Sequence, residues 1–244
     1  MNEIVKVLMN HRSVREFNEK KVSDEIKNSI IQCAQMAPTS SYFQAYSIIN
    51  VTSPQKKAVL AASSGGQTCV EKAPLALLFC ADLHRNQKYL VTDDKDILHN
   101  TEAYTVSVVD ASLAAQKAFI AAQSYGLGGV TVGGVRNDME LMKKEFGLPD
   151  MVVPLFLLCL GYYDEEPPQR PRLPQRVVLK EDYYNEDNND KLIEQYNEQV
   201  REFYRKNTNG ARQYSWIEYC SHTLSVKPRH EVTDFVKNAG LLKK

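Results

Sequence analysis

The segment "HRSVREF" (residues 11–17) places an imidazole (His11), two guanidinium groups (Arg12 and Arg15) and a hydroxyl (Ser13) within five residues. A second basic segment, "RPRLP", carries Arg170 and Arg172 between prolines, on a stretch too stiff for a helix. Alternate residues of an extended segment point the same way, so Arg170 and Arg172 can act as one fork. Such groups suit a phosphate monoester or an anionic ring, at about 1.5–3 kcal/mol for each charge-assisted bond. Either segment alone reads equally well as solvated surface arginines. A third stretch, "APTSSYFQAYS", decides between them. Thr39, Ser40, Ser41 and Gln44 follow a helix in a turn-like setting, and Gln67 in "SSGGQTCV" adds an amide. Hydroxyls, amides and cations spread over several loops match a ligand with a polyol arm, a phosphate and a heteroaromatic ring. Flavin mononucleotide (FMN) is such a ligand.

Spacing argues against other chemistries. His11, His84, His99, His222 and His230 form no H-E-x-x-H and no i, i+4 pair, so no metal site is expected. There is no G-x-S-x-G, and no cysteine sits in a recognisable catalytic setting. The stretch "GLGGVTVGG" (126–134) fails the dinucleotide fingerprint, because Thr131 occupies the sixth position and a helix precedes the glycines. Glycines inside a strand mark either the close approach of a backbone or flat ligand, or a bulge.

Composition narrows the class further. Thirty basic and thirty acidic residues cancel, which argues against nucleic acid as the main partner. The five cysteines are odd in number and lack paired spacing, as expected of reduced, structural thiols in a cytoplasmic protein. No run approaches the roughly 20 apolar residues of a membrane span. At 244 residues the chain can bury a sizeable core without a disulfide or metal staple.

The elements that must position these loops follow from periodicity and caps. A short amphipathic helix is expected over 2–10. Ser23 N-caps a second helix ending near Ala37, before Pro38. Strands are expected over 44–52 and 74–82, with a helix opened by Pro54 between them. Residues 101–125 form a long buried helix, small and apolar around most of its circumference. A Gly-rich strand (127–135), a helix capped by Asn137 or Asp138 and closed at Gly147, and a strand over 153–163 follow. Alternating elements with doubly buried strands suggest an α/β or α+β layered domain. After Tyr163 comes a proline- and arginine-rich extended segment (164–176), an acidic stretch (181–198), and two or three amphipathic helices.

Read in order, "HRSVR.F", "TSSYFQAYSII", "GGQ.CVEKAP", "FCADLHR", "AA.SYGLGGV..GG.RND", "VPLF.LCLGY", "RPRLP" and "YR.NTNGAR..SW" resemble the flavin-dependent nitroreductase superfamily. Within it they are most similar to the oxygen-insensitive NADPH nitroreductase and NADPH-flavin oxidoreductase branch. The resemblance implies an α+β fold with a mostly antiparallel central sheet flanked by helices, in an intertwined homodimer. The whole chain would be one FMN-binding domain, with a core over 1–163 and a phosphate-binding and wrapping extension over 164–244. Helix 101–125 would form the dimer core, and one FMN would occupy each of two pockets at the subunit interface.

The resemblance also implies roles. His11, Arg12, Ser13 and Arg15 form the first FMN segment; Thr39, Ser40, Ser41 and Gln44 form the second, with Gln67 beside them. Thr131, Val132, Gly133 and Gly134 lie along the flavin ring, with glycine admitting flavin N5 to the Gly134 N–H. Arg170 and Arg172 grip the phosphate. Tyr42, Phe43, Lys227 and Arg229 line the acceptor mouth. Thr39 stands where relatives often have Ser, and Thr131 replaces a common aromatic. Asn207 stands where the branch has an Arg for the 2′-phosphate of NADPH, leaving Arg205, Lys206 and Arg212 nearby and opening the donor choice to NADH. The implied activity is ping-pong hydride transfer from NAD(P)H through FMN N5 to nitroaromatics, quinones or free flavin. The alternatives are a dedicated NAD(P)H:FMN reductase that supplies reduced flavin, or a flavin-binding redox sensor without turnover. The expected effect of Arg15→Ala on flavin binding exceeds that of Arg85→Ala, Arg85 being read as a surface residue.

Overall fold

The computed structural model describes residues 2–94, 96–226 and 228–243. α1 (Glu3–Met9) is capped by Asn2, and α2 (Asp24–Gln35) by Ser23, whose hydroxyl accepts from the Ile26 N–H. β1 (Tyr46–Asn50) is shorter than the strand expected over 44–52, because Gln44 has a φ of 49° and cannot extend a ladder. α3 (Pro54–Ser63) opens on proline as expected. α4 (Thr68–Lys72) flanks β2 (Leu75–Asp82) on one side and α5 (His84–Tyr89) on the other. Neither helix is long enough to display a hydrophobic period, so neither was legible in the pattern. α6 (Thr101–Ser124), α7 (Met139–Phe146) and β4 (Val152–Gly161) lie within one or two residues of expectation, whereas β3 (Gly128–Val132) ends three residues before the expected 135, because the chain turns at Gly133. Asp138 caps α7, and Gly147 ends it in the left-handed region. α8 (Gln175–Val178), α9 (Asn189–Asn207), α10 (Trp216–Val226) and α11 (Glu231–Asn238) complete the chain.

The four strands pair in the order β1-β2-β4-β3, antiparallel at every junction. This removes the α/β alternative and leaves α+β. All eight residues of β2 are buried, since both sheet faces are covered. One face carries Leu75, Leu77, Phe79 and Ala81 against α6, whose Ala111, Ala114, Ala118 and Ala122 allow close helix approach. The other face carries Ala76, Leu78 and Cys80 against α3 and α7. Phe79 pairs with Phe156 and Cys80 with Pro154, so Leu155 is an extra residue in β4. This bulge lets Pro154 sit in an interior strand.

The chain divides into two compact units, Met1–Pro167 with Arg229–Lys244, and Pro168–Pro228. The core expected over 1–163 thus gains the chain's last segment, whose Phe235, Val236 and Leu241 are buried in the first unit. The second unit has its own small core of Tyr196, Val200 and Tyr204, with Leu173, Phe203 and Trp216 packed on it. These residues explain why the acidic stretch becomes helical from Asn189: Tyr196, Val200 and Tyr204 recur every fourth position and bury one face.

The cysteines are unpaired, with Cys69, Cys80 and Cys159 buried and Cys33 exposed. Burial pushes the Cys80 thiol from its ordinary 9.0 up to about 12, and pushes Cys159 up as well. A thiol whose folded pKa is raised contributes stability that is complete below the unfolded pKa and lost as pH climbs above it. Thermal stability is therefore expected to fall between pH 9 and about 12, the window these shifts define. In native protein a thiol reagent is expected to label Cys33 first and spare Cys80 and Cys159. Mass-spectrometric mapping checks this; rapid native labelling of Cys80 would contradict its enclosure.

Candidate functional site

The first donor segment runs beside the edge strand β3. Val14 N–H donates to Gly129 O at 2.9 Å, and Ser13 bridges Gly129 in parallel. The His11 ring lies 5.1 Å from that of Phe119 on α6. Arg12 is anchored inward: its guanidinium donates to Pro167 O at 3.0 Å and pairs with Glu166 at 3.1 Å. Arg15 is different. It is exposed, its one hydrogen bond is to Ser13 O at 3.3 Å, and no carboxylate pairs with it among the described residues. Its charge reaches Cys69 on α4, where it opposes the upward push of burial on that thiol. Gln67, at the N-cap of α4, donates to Ser64 O at 2.9 Å.

β3 leads into a short 3-10 turn, Gly133–Asn137, that carries Gly133 and Gly134. The space left by their missing side chains is taken by the protein itself. A Cβ on Gly134 would lie 2.7 Å from Ser64 Cα, and one on Gly133 would lie 2.9 Å from the Arg136 guanidinium. Internal packing by itself therefore requires glycine at Gly134. The bulge alternative for the Gly-rich strand is removed, since β3 pairs with β4 without a register shift from Gly128 to Val132. Thr131 is exposed and Val132 is buried.

The second donor segment has a strained backbone. Ser41 (φ 46°), Tyr42 (φ 62°) and Gln44 (φ 49°) all occupy the left-handed region, at a cost of roughly 1–2 kcal/mol each. Three residues outside the segment hold it there. Asp110, in the middle of α6 and fully buried, accepts from Ser40 N–H at 3.1 Å and from Ala45 N–H at 3.0 Å. Arg85 donates to Tyr46 O at 2.7 Å and Gln44 O at 3.3 Å, and Asn86 donates to Phe43 O at 2.9 Å. Hydrogen bonds to a charged group contribute about 1.5–3 kcal/mol each, enough to offset the strain. The side chains of Thr39, Ser40, Ser41 and Gln44 make no hydrogen bond within the described chain, so their donors and acceptors face outward unengaged. Tyr42 projects into solvent at 83 % exposure, whereas Phe43 packs against the core.

Arg85 is exposed, as expected of a surface residue, and is also part of the loop's support. Nothing in the local pattern marks Asn86 as a loop support. The one available signal was Asp110 itself, the only acidic side chain in the apolar run "VSVVDASLAA".

Arg229 has a φ of 51° and donates through Nε to Asn137 Oδ1 at 2.9 Å. It lies near Arg136, whose guanidinium donates to the Leu155 carbonyl freed by the β4 bulge. Burial, then the Arg229 charge, pulls the Arg136 pKa down. Lys227 lies outside the described residues.

In the second unit, Arg170 sits over the Tyr204 ring, 5.8 Å from its centroid. Arg172 donates to Arg170 O at 2.9 Å, and Tyr196 Oη donates to Pro171 O at 3.1 Å. Arg205 makes a two-point contact with Glu202, at 2.8 and 2.9 Å. Asn207 folds back to donate to Phe203 O at 2.7 Å. Lys206 and Arg212 have no carboxylate partner among the described residues.

The strand order sets the two donor segments of one chain apart. Residues 39–45 precede the edge strand β1, whereas residues 11–15 and 131–134 belong with the opposite edge strand, β3. Three strand spacings, roughly 14 Å, separate the two edges.

Comparison with known proteins agrees in both halves of the chain. The model described as Nitroreductase family matches residues 8–162, and that described as Nitroreductase family, C-terminal domain, matches residues 170–244. An FMN reductase (NADPH) of Bacillus subtilis is 38 % identical over 250 residues, covering all of both chains. A NADPH-flavin oxidoreductase of Vibrio harveyi is 34 % identical over 245 residues, again covering all of both. Among solved structures, the NfrA1 nitroreductase from B. subtilis superposes with a TM-score of 0.94 at 38 % identity, covering 99 % of this chain and 100 % of that one.

Proposed function

Because the chain belongs to the nitroreductase family, we propose that it is an FMN-dependent NAD(P)H oxidoreductase. The observation that carries this reading is the 39–45 segment: its backbone is tied down from both sides while its hydroxyl and amide side chains are left unengaged. That is the form of a preorganised binding loop. Its donor chemistry fits a polyol, and the uncompensated Arg15 cation fits an anionic ring edge. Bound FMN would supply a two-electron carrier between reduced nicotinamide and a flat acceptor such as a nitroaromatic, a quinone or free flavin.

The chain's own residues then have defined tasks. Thr39, Ser40, Ser41 and Gln44 would bind the polyol arm, and Arg15 with Gln67 would face the polar edge of the ring. No side-chain acid or base is required, since solvent can deliver protons to the acceptor. The separation of the β1 and β3 edges favours a pocket built from two copies of the chain. Apolar residues exposed on α1 (Ile4, Leu8 and Met9) and α6 (Val109 and Leu113) favour the same arrangement. A solved relative, the NADPH:FMN oxidoreductase from V. harveyi complexed with NAD+, is 33 % identical at a TM-score of 0.89. No helix among the described residues is long and apolar enough to cross a membrane, and the unpaired cysteines support a cytoplasmic location.

Donor choice follows from the 205–212 segment. Glu202 offsets the Arg205 charge and Asn207 is turned back on its helix, which leaves Lys206 and Arg212 for a 2′-phosphate. A modest preference for NADPH over NADH is the expected result.

The test is an absorbance spectrum of the purified protein, then anaerobic titrations with NADPH and with NADH. Flavin bands that bleach with both donors, in a protein sedimenting at twice 27.7 kDa, are expected. A protein that takes up no added FMN would end the reading, and a flavin-loaded monomer would end the two-copy site.

A further inference from the structure

The loop that carries the unengaged donors is held by a side chain that bears none of them. Asp110 lies 65 and 70 residues away in sequence from the two amides it binds. It is fully buried, and no cation pairs with it among the described residues. Its two oxygens bind the N–H groups of Ser40 and Ala45, the two ends of the stretch containing Ser41, Tyr42 and Gln44 at positive φ. The carboxylate therefore spans the strained turn and closes it like a staple, while Arg85 and Asn86 bind its carbonyls from outside. Asp110 also borders Tyr46, whose phenol is pushed up by burial first and by the Asp110 charge second. A residue whose only role was helix packing would be apolar here, like its neighbours Ala111 and Ala114, both fully buried.

We propose that Asp110 is a positioning residue, which fixes the 39–45 loop in its ligand-binding shape before any ligand arrives. The proposal rests on the FMN reading only for which ligand the loop serves; the staple itself is a property of the apoprotein. Removing one of its two acceptor oxygens leaves a buried N–H facing an amide donor, so the turn loses one end. The free loop then samples other conformations. Apparent affinity falls by the fraction of time the competent shape is lost.

The experiment uses the full-length protein and three measurements. First, hydrogen exchange of the wild-type apoprotein is read at Ser40, whose residue is exposed to solvent but whose amide is bound by Asp110. Exchange at least 100-fold slower than in a free peptide is expected. Exchange at the free-peptide rate overturns the proposal without any variant being made. Second, Asp110→Asn is expected to speed exchange at Ser40 and Ala45 at least tenfold and to raise the Kd for added FMN roughly tenfold or more. Third, Ser107→Ala, another fully buried polar residue of α6, whose hydroxyl bonds within its own helix, is expected to leave FMN Kd within about twofold of wild type. An Asp110→Asn protein that binds FMN as tightly as wild type overturns the proposal, as does an equal loss in Ser107→Ala, which would mark a general stability effect. Failure of the FMN reading looks different: the wild-type protein itself would bind no FMN, while Ser40 stayed protected.

Discussion

Replacing Arg15 with alanine is expected to weaken FMN retention by about 10- to 100-fold, the equivalent of losing one charge-assisted hydrogen bond of about 1.5–3 kcal/mol. The reason lies in how the first donor segment divides its two arginines. Arg12 is committed to Glu166 and the Pro167 carbonyl, so its charge is already compensated inside the fold. Among the described residues Arg15 has no carboxylate partner, which leaves its charge to meet an anionic group. Its removal is also expected to lower the flavin potential, because a cation beside the ring favours the anionic reduced form. Equilibrium dialysis with FMN and a redox titration provide the readouts. The control is Lys144→Ala on the exposed side of α7, not Arg85→Ala, since Arg85 grips the backbone of the second donor loop. Equal losses in Arg15→Ala and Lys144→Ala would remove Arg15 from the site.

Gly129→Ala should be among the most destabilising small substitutions in the chain, costing about 3 kcal/mol and lowering Tm by roughly 6–12 °C. An added Cβ would lie 2.4 Å from the Cys159 carbonyl oxygen and 2.6 Å from Leu160 Cδ2. The nearer atom is backbone in a hydrogen-bonded central strand, which cannot swing aside as a flexible side-chain end can. Relief requires β3 to move away from β4, and with it the Val14–Gly129 hydrogen bond that seats the first donor segment. Gly147→Ala gives the comparison. Nothing lies within 4 Å of its Cβ position, and its cost arises only from a φ of +62°, about 1 kcal/mol. Calorimetry of the two variants measures the difference. A Gly129→Ala protein as stable as Gly147→Ala would mean that β3 is free to shift, and that Gly129 does not seat the segment.

What could be read without the structure was local in origin. Caps, proline positions and apolar periodicity act over about four residues, so Ser23 and Asp138 announced their helices and Pro54 opened its own. The donor loops were legible for the same reason, since hydroxyls, amides and guanidinium groups are clustered along the chain before it folds. Residue types alone also pointed to a ligand combining a polyol, an anion and a ring.

Other features depended on pairings between distant segments, which no short window encodes. The antiparallel order β1-β2-β4-β3 sets residues 39–45 and residues 131–134 at opposite edges. Arg12 was engaged internally by Glu166, a partner 154 positions along the chain. Arg85 became a support because β1 and the start of α5 met, 39 residues apart. Gly134 owes its glycine to Ser64 and Gly129 owes its own to Cys159, neither of them a chain neighbour. Asp110 looked like a stray charge in an apolar helix, and only the tertiary structure brought two strained-loop amides to it. Sequence chose the groups that could do chemistry, because side-chain identity is written residue by residue. Tertiary structure chose which of them remain free to do it, because a group is free only when no distant part of the chain has bound it first.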